Sequence, residues 1–175
     1  MKQFDGWSQT FVTGTVKNDG ESRSNTVNVK AVFKDESGSV LSTRNWGALY
    51  LDGGQAWNVA IPSRTEQTPA SGALEVSEGA KPDLDSSDLK VVDSSAHTGE
   101  NPRVTGTVKN SGSSDLEQVA THVRFLDSEK NIIGQNVRYL TAKGGATTAF
   151  EVPLSSPYGN EFESYHIVLD RNASY

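Results

Sequence analysis

Hydrophobic and polar residues alternate along most of the chain, and a period of two is typical of β-strands with one buried face. Between Thr10 and Lys17, valine or glycine alternates with threonine and lysine. Further apolar faces lie on Val27, Val29, Ala31 and Phe33, and on Val119, Thr121, Val123 and Phe125. Shorter strands are expected near positions 40–44, 57–61, 74–76, 89–92, 132–137, 149–154 and 165–169. The pattern indicates an all-β chain.

A repeat divides this pattern into two copies. The heptapeptide VTGTVKN at positions 12–18 recurs unchanged at 104–110, an offset of 92 positions. Other shared residues follow the same offset; the repeat signature is Gly14, Asn18, Gly20 and Asp35 in copy one and Gly106, Asn110, Gly112 and Asp127 in copy two. Short strands at near-regular spacing predict two tandem immunoglobulin-like antiparallel β-sandwich domains. We assign 1–80 to the first domain, 81–87 to an acidic Ser- and Pro-containing linker, and 88–175 to the second domain.

The first copy differs from the second at its beginning. A strand is expected at 89–92, just before the second copy of the heptapeptide, and its counterpart in the first copy would fall before Met1. We therefore expect either that the first copy lacks this edge strand or that the chain is trimmed upstream. In the trimmed case, the missing segment could include a signal peptide or membrane anchor.

The repeated residues suit roles in folding. The Asn-x-Gly sequence after the first strand of each copy contains residues that tolerate positive φ in a turn. Asp35 and Asp127 close the strand that contains phenylalanine, and we expect their carboxylates to accept hydrogen bonds from turn N–H groups. Gly14 and Gly106 lie inside strands, which is costly. They therefore predict a bulge or the close approach of a crossing segment or aromatic ring.

These motifs resemble the FxLYD-type domain of bacteria and archaea. The shared features are V-x-G-x-V-x-N-x-G at 12–20 and 104–112, an alternating strand that ends in an aromatic residue and Asp, and a later Gly-Gly pair. The segments AVFKD at 31–35 and VRFLD at 123–127 keep only the Asp of the family's naming motif. The resemblance implies small β-sandwiches in secreted or envelope-anchored proteins, including lipoproteins, without an assigned enzymatic activity.

Composition narrows the classes of function. The 175 residues include 22 Asp and Glu against 16 Lys and Arg, for a formal net charge of −6. A nucleic-acid-binding surface would need clustered basic residues, so we expect no nucleic-acid partner. The chain has no cysteine, which removes disulfides, thiolate nucleophiles and cysteine-based metal sites. No stretch reaches the about 18 apolar residues of a membrane span.

Candidate catalytic and metal-binding residues are few. His122 and His166 alternate with apolar strand residues and are expected to face solvent, while His97 is expected in a loop. Neither a nucleophile elbow nor a zinc-protease motif is present, so we expect no enzyme and no cofactor. The linker carboxylates Asp83, Asp85 and Asp88 are candidate calcium ligands, but their spacing does not match an EF-hand loop. We interpret them as a solvated acidic linker.

Aromatic residues are the remaining candidates for binding. All three tryptophans belong to the first copy. We expect Trp57 in the core, because neighbouring Val59 pairs with Phe150 in the second copy. Trp46 and Tyr50 could form an exposed platform for a sugar ring or protein interface, and the alternative is a partly buried Trp46 that covers the sandwich edge.

The sequence therefore predicts a non-catalytic, extracytoplasmic spacer or protein-interaction module, as a monomer or weak dimer. The alternative is a carbohydrate or cell-wall binding module that uses Trp46 and Tyr50. Its partners would be a protein or a cell-surface polysaccharide.

Overall fold

The chain forms β-strands in two compact units, Met1–Pro82 and Asp83–Tyr175. The computed structural model describes residues 1–82, 84, 87–159 and 161–171, and over these residues it contains strands without a helix. The strands are β1 (Lys2–Gln3), β2 (Thr10–Lys17), β3 (Val27–Lys34), β4 (Val40–Ala48), β5 (Ala56–Pro62), β6 (Ser71–Glu78), β7 (Leu89–His97), β8 (Arg103–Asn110), β9 (Leu116–Leu126), β10 (Ile132–Ala142), β11 (Thr147–Pro153) and β12 (Ser164–Asp170). The predicted all-β class is confirmed.

The first unit is arranged like a β-sandwich. β2 pairs with β1 and β5, and β3 pairs with β4 and β6, all antiparallel. Because the residues facing inward come from every second position, the alternation in the sequence supplies the core. Its buried members include Val12, Val29, Phe33, Trp57, Val59 and Ile61. The prediction that Trp57 is a core residue is confirmed.

The second unit repeats this pairing. β9 pairs with β10 and β12, and β8 pairs with β7 and β11, again antiparallel. The core includes Leu89, Val104, Val108, Val123, Phe125, Phe150 and Val152. Several strands are longer than the sequence indicates, including β4 and β6 of the first unit. β7 continues to His97, and β10 continues to Ala142.

The chain before β2 differs from the strand that precedes β8. β1 has only two residues, and they pair with Thr10 and Phe11 at the start of β2. Phe4 and Trp7 then pack edge-on against the Phe11 ring, with ring centroids 5.3 and 5.4 Å apart. In the second unit, β7 instead pairs with β8 from Arg103 to Asn110.

The described part of the chain has no helix that is long and apolar enough to cross a membrane.

Candidate functional site

The repeated asparagine of the second unit holds two connections together. Asn110 ends β8, and its side chain is fully buried. Its Nδ2 donates to the backbone oxygens of Ser114 (2.9 Å) and Ala142 (2.8 Å), and its Oδ1 accepts from the Gly112 N–H (3.0 Å). These bonds tie the end of β8 to the turn before β9 and to the end of β10. The Asn110 Nδ2 and Oδ1 atoms therefore both form hydrogen bonds to the backbone within the fold.

Asn18 does the same in the first unit. Its Nδ2 donates to the backbone oxygens of Ser22 (2.8 Å), Leu51 (3.0 Å) and Asp52 (3.2 Å). Its Oδ1 accepts from the Gly20 N–H at 3.1 Å. The side chain is only half-buried, in contrast to Asn110. The repeated asparagine thus makes the same kind of side-chain bonds to backbone groups in both units, but in the first unit it is more exposed to solvent.

The glycine of each Asn-x-Gly turn does not adopt positive φ, contrary to the sequence interpretation. Positive φ lies in the facing turn instead, at Gly54 (74°) and Gly145 (68°), the second members of the Gly-Gly pairs. Gly20 and Gly112 bond to the asparagine oxygen with ordinary backbone angles, so the side-chain bond makes the turn.

The repeated aspartates organise turns, as the sequence predicts. Asp35 Oδ1 accepts from the Ser37 and Ser39 N–H groups (2.8 and 2.9 Å) and from the Ser37 hydroxyl (2.6 Å). These bonds, with that of the Ser37 side chain first, lower the pKa of the Asp35 carboxyl. In the second unit, Asp127 Oδ1 accepts from the N–H groups two and four residues on, at 3.0 and 2.8 Å.

The strand glycines make room for close neighbours, which confirms the expectation of close approach. A Cβ on Gly106 would lie 2.5 Å from the Asp93 backbone oxygen and 2.7 Å from Phe150 Cζ. On Gly14 it would lie 2.8 Å from Leu74 Cδ1. The neighbour is therefore an aromatic ring and a backbone in one unit and an aliphatic side chain in the other.

Trp46 and Tyr50 do not form one exposed surface. Tyr50 is 1% exposed, and the Arg23 guanidinium lies 4.0 Å from its ring centroid. Trp46 is 37% exposed and is opposite buried Val29 in the sheet, so both side chains point to the same face. Trp46 therefore lies over the margin of the core. The burial of Tyr50 removes it from the expected platform.

The three histidines occupy separate environments. His166 is exposed, as predicted. His97 ends β7 rather than lying in a loop, and its Nε2 is 3.0 Å from the Thr105 hydroxyl.

His122 is half-buried rather than solvated, and burial is the main cause of its lowered pKa, which nearby Asp170 partly offsets. Its neighbour on the same strand face, Arg124, is 1% exposed, so this face is covered. The expectation of a solvated His122 is therefore wrong.

The described residues contain no group of three or more His, Asp and Glu side chains that could hold a metal ion. Asp83 and Asp85 lie outside the described residues. The backbone oxygen of Asp88 accepts hydrogen bonds from the Ser111 N–H (2.8 Å) and from the Ser111 hydroxyl (3.0 Å).

A polar groove on the second unit was not indicated by the sequence. It has a volume of about 740 Å³ and is lined by residues of β7, β8, β10 and β11. Asp93 and Ser95 line it beside Thr105, and Arg138 and Glu151 contribute opposite charges. Glu151 also pairs with Arg103 at 3.3 Å. Three of the four strands pair with one another, and β10 pairs with β9 instead, so a sequence motif could not reveal that these residues meet.

No family model matches the chain, and no curated protein matches it. Among solved structures, it is similar to two crystal structures of a GH2 beta-galacturonidase from Eisenbergiella tayi, one bound to galacturonate and the other to glycerol. The sequence identities are 13% and 14%, and the TM-score is 0.33 for both. Each match covers 91% of this chain but only 33% or 32% of the enzyme chain. The chain thus spans about a third of the length of these enzymes, and this TM-score is too low to imply a shared activity.

Proposed function

We propose that the chain is a non-catalytic spacer or protein-interaction module, composed of two tandem immunoglobulin-like β-sandwiches of the FxLYD type. The observation that carries this proposal is the use of the repeated polar residues. Asn18, Asn110, Asp35 and Asp127 all bond to the backbone of turns. The part of the sequence that was kept in both copies therefore serves the fold, whereas a shared active site would keep reactive groups.

The proposed location is extracytoplasmic, in a secreted or envelope-anchored protein. This part of the proposal is supported by the resemblance of the two copies to FxLYD-type domains. Exposed acidic residues and a net charge of −6 suit a solvated module.

A carbohydrate-binding function is the second candidate, and the polar groove favours it. Asp93, Ser95 and Arg138 of the groove offer acceptors and donors for sugar hydroxyls. On the first unit, Trp46 separately offers part of one aromatic face. Tyr50 no longer contributes to this candidate because its ring is buried.

Affinity electrophoresis in gels that contain cell-wall polysaccharides separates the two functions. We expect the wild type, Trp46→Ala and Ser95→Ala to migrate alike in every gel. Retardation of the wild type that either substitution abolishes would replace the spacer with a glycan binder. A parallel panel of hydrolase substrates, with His122→Ala as the control, should show no turnover; activity lost in that variant would refute the non-catalytic proposal.

A further inference from the structure

The polar groove of the second unit lies on the outer face of the sheet formed by β11, β8 and β7. The lining residues of these strands form two rows across the sheet, Asp93 with Thr107 and Ala149, and Ser95 with Thr105 and Glu151. Residues opposite each other in an antiparallel sheet point to the same face. The core residues Val104 and Val108 are fully buried and alternate with the two threonines, so both rows point away from the core.

Small side chains form the floor of this groove. Thr105 and Thr107 are on the central strand β8, and Ala149 is opposite Thr107 on β11. Longer side chains border them, with Asp93 on β7 and Arg138 on β10. The volume of about 740 Å³ is in the range of small-molecule sites.

Arg138 lies at the β11 side of the groove. Two hydrogen bonds join β10 to β11, from Asn136 Nδ2 to the Pro153 oxygen (3.2 Å) and from the Thr148 hydroxyl to the Thr141 oxygen (3.3 Å). Arg138 is between these two bonds along β10. The strand β7 is on the opposite side of the groove, because β8 separates it from β11.

The charges of the groove are divided between its two sides. On the β11 side, Glu151 forms an ion pair with Arg103 at 3.3 Å, so its charge is already compensated. Arg138 adds a positive charge to this side, and Asp93 puts a negative charge on the β7 side. Among the residues that the structure describes, neither Arg138 nor Asp93 forms an ion pair or a side-chain hydrogen bond. The groove therefore presents two opposite charges that are both available to a ligand.

The spacing of the strands sets the distance between these charges. Neighbouring strands lie about 4.8 Å apart, so the backbones of β7 and β11 are about 10 Å apart. An extended peptide spans about 3.5 Å per residue, so two or three residues span about 7 to 10 Å. The two ends of such a peptide can therefore reach both charged sides.

We propose that this groove binds a free peptide of two or three residues, with its ammonium group at Asp93 and its carboxylate at Arg138. An arginine side chain forms paired hydrogen bonds with a carboxylate. The hydroxyls of Ser95 and Thr107 lie between the two charges and can bond to the peptide amide groups. A neutral sugar or a simple anion would leave at least one of the two charges without a partner. The site is additional to the spacer or interaction role and does not depend on it.

Trialanine is the probe, and it is titrated into the isotope-labelled full chain in low-salt buffer, with binding followed by NMR. Because Asp93 and Arg138 are exposed, we expect a weak complex with a Kd of about 1 mM. The amide signals of Asp93, Thr107 and Ala149 should shift. Thr15, the repeat partner of Thr107 in the first unit, is the internal control and should not shift.

Blocked peptides test the two ends separately. Trialanine with an acetylated N-terminus and an amidated C-terminus should bind at least about tenfold more weakly, because both charged contacts are lost. A neutral trisaccharide at the same concentration should cause no shifts in the groove. These comparisons use the unchanged protein, so they do not depend on the folding of any variant.

Two substitutions assign each end of the peptide to one side chain. Asp93→Asn and Arg138→Gln should each weaken trialanine binding about threefold or more. Arg138→Gln should not weaken the C-terminally amidated peptide any further, whereas Asp93→Asn should. Glu100→Gln and Lys143→Gln change charge at exposed positions of the same unit outside the groove, and they should bind like the wild type.

Several results would overturn the proposal: no shifts in the groove up to about 10 mM trialanine, equal binding of the fully blocked peptide, or unchanged affinity in either groove variant. Tighter binding of the neutral trisaccharide than of trialanine would also overturn it and would favour the glycan candidate. The absence of peptide binding would leave the spacer function intact, which polysaccharide retention or catalytic turnover would refute separately.

Discussion

Replacement of Asn110 by alanine is expected to destabilise the second unit by about 3 kcal/mol. The substitution removes two donated hydrogen bonds, to Ser114 and Ala142, and one accepted from Gly112. Each bond contributes about 1 kcal/mol net. Because the side chain is fully buried, water cannot readily replace the lost amide.

The matched substitution in the first unit has a smaller expected effect. Asn18→Ala also removes bonds to backbone groups, but Asn18 is half-buried and water can reach the freed groups. We expect a loss of about 1–2 kcal/mol. Asn45→Ala, at an exposed position of β4, is the control and should change stability by less than about 0.5 kcal/mol.

Urea unfolding followed by far-UV circular dichroism measures these differences. Tryptophan emission assigns a transition to the first unit, which contains all three tryptophans. Equal losses for Asn18→Ala and Asn110→Ala would refute the argument from burial. An Asn110→Ala protein as stable as the wild type would refute the clamp itself.

Other predictions follow from the glycines, Trp46 and the titrating groups. Gly106→Ala should lower stability by about 1–3 kcal/mol in urea unfolding, and Gly14→Ala by less, because a Cβ on Gly106 meets rigid backbone and on Gly14 the end of a flexible side chain. Acrylamide should quench a tryptophan component in the wild type that disappears in Trp46→Phe; an unchanged quenching curve would contradict the exposure of Trp46. Burial lowers the folded-state pKa of His122, so protonation favours unfolding, and stability should fall as pH drops below about 6.5. The melting temperature of His122→Gln should depend less on pH over that range. The lowered pKa of Asp35 contributes stability above the unfolded-state pKa, which is lost as pH falls through the folded-state value; Asp35→Asn should flatten the pH dependence below pH 4.

The features that the sequence predicts correctly are those that depend on residues close together in the chain. The alternation from Thr10 to Lys17 gives the bounds of β2, and the turn bonds of Asp35 depend only on residues two to four positions away. The burial of Trp57 follows from its alternation with Val59 and Ile61 in β5. These features need no knowledge of distant segments.

Features set by distant segments are those that the sequence interpretation missed. Tyr50 lies in a buried run with Leu49 and Leu51 that does not alternate, so strand periodicity gives no orientation. His122 lies on the face opposite the core, and alternation predicts an exposed residue there unless a second surface covers that face. The polar groove likewise depends on the pairing of β7, β8 and β11 and on the position of β10 beside them.

Amide hydrogen exchange of the wild-type protein, resolved by residue, tests whether the heptapeptide kept in both copies forms strands whose outer edges are paired differently in the two units. The N–H groups of Thr13, Thr15 and Lys17 should exchange rapidly, because no strand of the described chain pairs with them. Those of Thr105, Thr107 and Lys109 should exchange slowly, because β7 covers that edge. Equal protection of the two sets would contradict this difference in strand pairing between the two units.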